Sequence, residues 1–405
     1  MPPSPIRKLV PYAEAAKKKG IRVYHLNIGQ PDIETPPAIL DAVRKADIRV
    51  LEYSHSAGNE SYRKKLVEYY HRVGIDVTYN QIMITAGGSE AIIFGFMSCL
   101  NPGDEIIIPE PFYANYNGFA VMAGVKVVPI TSVIETGFAL PPMEDFEKVI
   151  TNKTKAIIVC SPNNPTGYLY SREEMEKLKA ICLKHNLYLF SDEAYREFCY
   201  AGEYVSAMHL DGLEENVILM DTISKRYSAC GARIGAFVTK NKAIYDIAMK
   251  FAQARLSPPG LAQILGEAAV DLPVSYFEKP KAEYLARRDL LIKRLNAMED
   301  VFCPNPGGAF YAIARLPIDD SDHFCQWLLE SFSYQNQTVM LAPATGFYGT
   351  TGLGKDEVRL AYVLNLDSIN AAMDCLEKAL QVYPGRTKGD KNIEQGVSNI
   401  KTIQS

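Results

Sequence analysis

A lysine, an aspartate, an arginine and a glycine pair stand at the starts of polar segments in the middle of this 405-residue chain. Lys225, in Ser224-Lys225-Arg226, carries an amine that forms a Schiff base with a carbonyl once its surroundings deprotonate it. Asp192, in Ser191-Asp192-Glu193-Ala194-Tyr195, offers a carboxylate that can keep a ring nitrogen protonated, since opposite charges within ~4–6 Å favour the ionised pair. Gly88 and Ser89 follow Gly87 at the expected start of a helix, where free backbone amides make an anion site. Arg233, eight residues beyond Lys225, would add a two-pronged contact suited to phosphate.

These segments follow the elements that must hold them. Runs at 82–85, 105–109, 125–130, 156–160, 187–190 and 217–220 are β-rich, and most are apolar throughout, as expected of strands covered on both faces. Ser171-Arg172-Glu173-Glu174 has the pattern of a capping box, opening a helix with Met175, Leu178 and Ile181 on one face. Strand and helix in alternation predict an α/β fold: a mainly parallel sheet flanked by helices. In such a sheet, ligands bind in the crevice beyond the carboxyl ends of the strands. Taken singly, Gly87-Gly88 reads as a turn, Asn164-Pro165-Thr166-Gly167 as good turn chemistry, Asp192 as a helix cap and Lys225 as a solvated lysine. Four such segments at equivalent strand ends point instead to one shared site. Phosphate, aldehyde and pyridinium together describe pyridoxal 5'-phosphate.

Composition sets the frame. Hydrophobic residues make up 47% and charged residues 22%, with a net charge of −4. That suits a folded chain with a large core and argues against nucleic-acid binding, which needs a basic face. No apolar run reaches the ~20 residues of a membrane span, and the proline-rich start lacks a signal-peptide layout, so a soluble, cytoplasmic protein is expected. The eight cysteines form no C-x-x-C pair and read as reduced core thiols. The six histidines lack metal-ligand spacing, so no metal site is expected. The expected organisation is an N-terminal segment, 1–45, joining a small α+β domain at 291–385, a large domain at 46–290, and a polar, mobile tail at 386–405.

The motifs resemble the fold-type-I pyridoxal-phosphate aminotransferases of class I/II over nearly the whole chain, from Asn27-Ile28-Gly29-Gln30-Pro31-Asp32 to Val358-Arg359-Leu360-Ala361-Tyr362. The resemblance implies that Lys225 forms the aldimine and later serves as the base at the substrate Cα. Asp192 would protonate the ring nitrogen, Asn164 and Tyr195 would hold the ring 3-oxygen, and Gly88, Ser89, Thr222 and Arg233 the phosphate. Tyr113 would stack on the ring. Tyr53 would cross from a partner subunit to the phosphate, making the active unit a homodimer. Arg359 would clamp the substrate carboxylate, with Gly29 and Asn164 at the substrate. The implied reaction moves an amino group from an amino acid to a 2-oxo acid, aspartate and 2-oxoglutarate being favoured. Arg255 is a candidate for a second carboxylate. Ser89, where some aspartate-using relatives carry lysine, leaves alanine, aromatic and methionine-type substrates open, and a carbon–sulfur β-lyase is the rival reaction. A regulator of this fold would carry a helix-turn-helix head, for which the ~25 residues before Asn27 leave no room.

Overall fold

A computed structural model describes residues 6–388. Its first strand, β1 (Arg22–His25), stands apart from those that follow it. Next come β2 (Ile82–Thr85), β3 (Glu105–Glu110), β4 (Lys126–Thr131), β5 (Thr154–Cys160), β6 (Tyr188–Asp192), β7 (Val217–Thr222) and β8 (Gly235–Val238). They form one sheet in the order β2-β8-β7-β6-β5-β3-β4. Six run in one direction, and β8 runs against both its neighbours, β2 and β7.

The apolar runs are explained by what covers them. Successive side chains of a strand point to opposite faces. Ile106 and Ile108 pack with Phe190, Ile218 and Phe237 under Ala91, Phe94 and Phe96 of the Gly88–Cys99 helix. Ile107, on the other face, packs with Ile157, Leu189 and Val217 under Met175, Leu178 and Ile181 of the Arg172–His185 helix. That helix starts as expected: the Ser171 hydroxyl accepts from Glu174 N (3.2 Å), and Ser171 N donates to the Glu174 carboxylate (2.7 Å).

The later strands are β9 (Tyr311–Arg315), β10 (Gln337–Met340), β11 (Ala342–Pro343) and β12 (Glu357–Ala361). The last of these lies between β11 and β9, antiparallel to both, while β10 pairs in parallel with β1. Leu9, Ala13, Tyr24 and Leu26 share one apolar cluster with residues of the Glu278–Leu295 and Leu366–Val382 helices. Beyond β1, Leu26 accepts from Ala361 N (2.7 Å), so the chain runs alongside the end of β12.

The mainly parallel, helix-flanked sheet with a smaller second sheet matches the expected fold class. Two features differ from the sequence reading. β8 was not singled out, being only four residues set among turns, and neither was the β1–β10 pair, whose strands lie more than 300 residues apart. Among the described residues no helix is long and apolar enough to cross a membrane, and no group of three His, Cys, Asp or Glu side chains could hold a metal ion. Of the expected polar tail, residues from 389 onward lie outside the described residues.

Candidate active site

Six strands end at one edge of the large sheet, and the segments that follow five of them, β2, β3, β5, β6 and β7, help to line a cavity of about 600 Å³. Gly29, Gly88, Ser89, Tyr113, Asn164, Asp192, Tyr195, Thr222, Lys225, Arg233 and Arg359 all line it. Because β8 is antiparallel, it starts where its neighbours end, and this brings Arg233 to the same rim. Tyr53 does not line the cavity; it is 76% exposed, beside exposed Val50 and Leu51. Arg255, the candidate for a second carboxylate, does not line it either. Its guanidinium pairs with Glu90 (2.5 Å) and donates to the Ser56 carbonyl (2.9 Å).

One end of the cavity is built for an anion. Gly87 caps the Gly88–Cys99 helix with φ of +81°, a conformation that a side chain resists. A Cβ there would also lie 2.4 Å from Arg233 Nη2. Glycine thus lets the guanidinium settle over the helix start, where Arg233 donates to the Ala86 and Cys230 carbonyls (3.4 and 3.2 Å). Amides, helix dipole and guanidinium all favour negative charge at this point.

Asp192, at the end of β6, receives Tyr116 Oη (2.8 Å) and Ala194 N (3.2 Å). Burial pushes its carboxyl up to about 6 in spite of those donors. A cationic partner facing it would therefore meet a carboxylate that gains by ionising. Lys225 Nζ donates to the Gly29 carbonyl (2.9 Å) and lies 3.7 Å from Cys230 Sγ. Gly29 must be glycine here, because a Cβ would fall 1.7 Å from the Tyr311 hydroxyl.

Arg359, on β12 and only 2% exposed, lines the same cavity. It donates to Asn164 Oδ1 (3.0 Å) and to the Asn27 carbonyl (2.6 Å), and the rings of Tyr311 and Phe347 each lie 4.7 Å from its guanidinium carbon. Its Nε has no partner, and among the described residues no carboxylate pairs with it. Burial accordingly lowers its pKa. A buried cation held by neutral groups alone is costly unless an anion joins it. A hydrogen-bonded path continues from Asn164 Nδ2 to Tyr195 Oη (3.4 Å) and on to Tyr311 Oη (3.0 Å).

Several residues of the site escaped the sequence reading. Tyr311 and Cys230 line the cavity, and Tyr116 holds Asp192. Tyr116 had a signal, standing one helical turn after Tyr113; Tyr311 had none, since Phe310-Tyr311 reads as core. Cys230 is half-buried at the cavity and not a core thiol as expected. Below the strand ends, Glu193, Arg196, Asp221 and Arg226 form a buried ion cluster. Arg226 and Arg196 hold the Asp221 carboxyl low against the opposing pull of burial. Glu193 and Asp221 adjoin Asp192 and Thr222 in the chain, so this cluster fixes the strand ends from below.

The sequence pattern of the family described as aminotransferase class I and II matches residues 21–347. The chain belongs to this family. Among aminotransferases it is similar to the aspartate aminotransferase of Pyrococcus horikoshii, at 33% identity over 93% of this chain and 95% of that one. It is also similar to aromatic-amino-acid aminotransferase 2 of Thermococcus litoralis, at 31% identity over 94% and 96%. Among solved structures, the alanine aminotransferase of Pyrococcus furiosus superposes with a TM-score of 0.86 at 32% identity, covering 93% of this chain and 96% of that one. The helices and sheets described above are thus those of an aminotransferase.

Proposed function

We propose that this aminotransferase carries pyridoxal 5'-phosphate on Lys225 and transfers an amino group from an L-amino acid to a 2-oxo acid. The observation that carries the reading is Arg359: a buried guanidinium with no anionic partner, in one cavity with Lys225 and Asp192. The residues present fit the cofactor. An anion site lies at Gly88, Ser89, Thr222 and Arg233, a buried carboxyl that a facing cation would hold ionised stands at Asp192, and the Lys225 amine lines the same cavity as Arg359. Tyr113 supplies an aromatic face, and Asn164 and Tyr195 supply donors for a ring oxygen.

When bound, the cofactor supplies an aldehyde that takes up nitrogen and a conjugated ring that stores the electron pair of the broken Cα–H bond. The chain does the rest. Arg359 receives the substrate carboxylate with its fork and fixes which bond at Cα faces Lys225. Lys225 Nζ would take the proton from Cα and deliver it to the cofactor's aldehyde carbon on the other side of the nitrogen, serving as the base in both halves of the reaction. Asp192 holds the proton on the ring nitrogen. Gly29, Tyr311 and the segment after β1 cover the cavity and keep water out.

Aspartate and 2-oxoglutarate are the first pair to test, a choice supported by the name of the Pyrococcus horikoshii relative. The proposal includes a homodimer in which Tyr53 reaches the partner's phosphate site, supported by the exposure of Val50 (76%), Leu51 (62%) and Tyr53 (76%). It also includes a small domain formed by 1–45 with 291–385, supported by the shared packing of Leu9, Tyr24 and Leu26 with the last helices. The deciding measurement is the visible absorbance of the purified protein with pyridoxal phosphate. A band that disappears on adding aspartate and returns with 2-oxoglutarate supports the whole reading. No band even with added cofactor, or an unchanged band in Lys225→Ala, refutes it.

A further inference from the structure

Tyr311, at the start of β9, lines the cavity, yet its side chain is buried, and its hydroxyl has one hydrogen-bond partner among the described residues, Tyr195 Oη at 3.0 Å. Gly29 covers that hydroxyl so closely that a Cβ there would lie 1.7 Å away, and the Gly29 carbonyl is already taken by Lys225 Nζ. The Tyr195 ring packs edge-on against Tyr311, and the Arg359 guanidinium carbon lies over the Tyr311 ring at 4.7 Å. Arg359 also sets the direction of the hydrogen bonds. A guanidinium only donates, so Asn164 turns Oδ1 to Arg359 (3.0 Å) and Nδ2 to Tyr195 (3.4 Å). The Tyr195 oxygen therefore accepts from Asn164 and has one proton to give. Either phenol can donate to the other. If Tyr195 donates, the Tyr311 proton is left to the cavity; if Tyr311 donates, the Tyr195 proton is. A negatively charged oxygen in reach of Tyr195 selects the second arrangement. Burial holds the Tyr195 phenol well above its usual range, and Tyr311 adds to that effect. Tyr195 thus meets such an oxygen as a neutral donor, not as a second anion.

We propose that Tyr311 is a positioning residue: its hydroxyl donates to the Tyr195 oxygen and thereby commits the Tyr195 proton to the ring oxygen of the bound cofactor. The proposal rests on the reading that Tyr195 is a donor to that oxygen. Asn164 and Tyr311 both donate into Tyr195, and hydrogen bonds in series strengthen one another. Tyr311 thus helps to keep the ring oxygen negatively charged without touching it. When the cofactor is joined to Lys225, the joining nitrogen shares its proton with the ring oxygen. An oxygen well supplied with donors holds that proton less firmly, so it leaves at lower pH. Without the Tyr311 hydroxyl it should leave at higher pH.

The test uses full-length protein loaded with pyridoxal phosphate, without substrate, and follows the visible band as pH is raised. Its midpoint reports the proton between Lys225 and the ring oxygen. Tyr311→Phe removes one oxygen atom and should move the midpoint up by about 0.1 to 0.7 on the pH scale, as expected from losing about 10–30% of one charged hydrogen bond. Tyr195→Phe should move it further in the same direction. The double variant should match Tyr195→Phe alone, because Tyr311 acts only through Tyr195. A midpoint unmoved by Tyr311→Phe while Tyr195→Phe raises it overturns the proposal. So does a Tyr311→Phe shift that persists in the Tyr195→Phe background, the mark of a general change in the pocket. A midpoint unmoved by Tyr195→Phe removes that residue from the ring oxygen, and this proposal with it, while leaving amino transfer intact. A wild type with no band removes the cofactor reading itself.

Discussion

Arg359 and Asp192 each sit in surroundings that disfavour their charge, and each is predicted to trade stability for function. Replacing Arg359 with Met removes a buried cation held only by Asn164, the Asn27 carbonyl and two rings. Arg359→Met should lower kcat/KM about 100-fold or more for every amino acid tested, while raising the melting temperature of the cofactor-free protein. Equal stability together with the activity loss would show that the guanidinium is better solvated than its surroundings indicate. For Asp192 the sign follows from its raised carboxyl, 3.8 moving to about 6. Between those values the folded protein keeps a proton that the unfolded chain has lost. The stability of the cofactor-free protein should therefore fall by about 3 kcal/mol as pH rises through the window, then level off. Urea titrations from pH 4 to 7 should show this slope, and Asp192→Asn should lack it. A bound cationic ring reverses the preference, so cofactor affinity should weaken as pH drops below about 6.

At the scale of elements, the turn from β2 into the Gly88–Cys99 helix fixes the anion site, and its glycine has no substitute. Gly87→Ala places a Cβ against Arg233 and strains a φ of +81°. It should cost more than ~1 kcal/mol of stability and weaken pyridoxal-phosphate binding at least tenfold by fluorescence titration. By contrast, Ser171→Ala, which breaks a capping box remote from the cavity, should cost about 1 kcal/mol and leave kcat/KM unchanged. Elements whose signals are local were legible in the sequence: the doubly covered strands, the capping box, the glycine turn. β8 was not, because Gly235-Ala236-Phe237-Val238 differs little from a buried loop and nothing local sets its direction. The partner of Arg255 was hidden for a related reason. A lone arginine before a turn gives no hint that Glu90 lies within 2.5 Å, since contacts across 165 positions leave no periodic trace. Tyr311 was hidden in the same way, inside an apolar run.

For the whole molecule, the exposed stretch around Val50, Leu51 and Tyr53 carries the proposed second subunit. Leu51→Asp with Tyr53→Asp should shift the protein toward monomer in sedimentation velocity and reduce cofactor retention; a dimer that persists would place the interface elsewhere. The order of the chain has a further consequence, for synthesis. β1 leaves the ribosome first yet pairs with β10, and the carbonyls just after it, of Asn27 and Gly29, hold Arg359 and Lys225. The residues translated earliest thus wait for some of the last, a high-contact-order closure that slows folding. On the proposed roles of Gly88 and Arg359, a nascent chain in which the strand at 357–361 has yet to join the fold could bind phosphate but would lack its grip on a substrate. Catalysis is thereby withheld from unfinished chains, and a premature stop before that strand gives a protein that holds a cofactor at most.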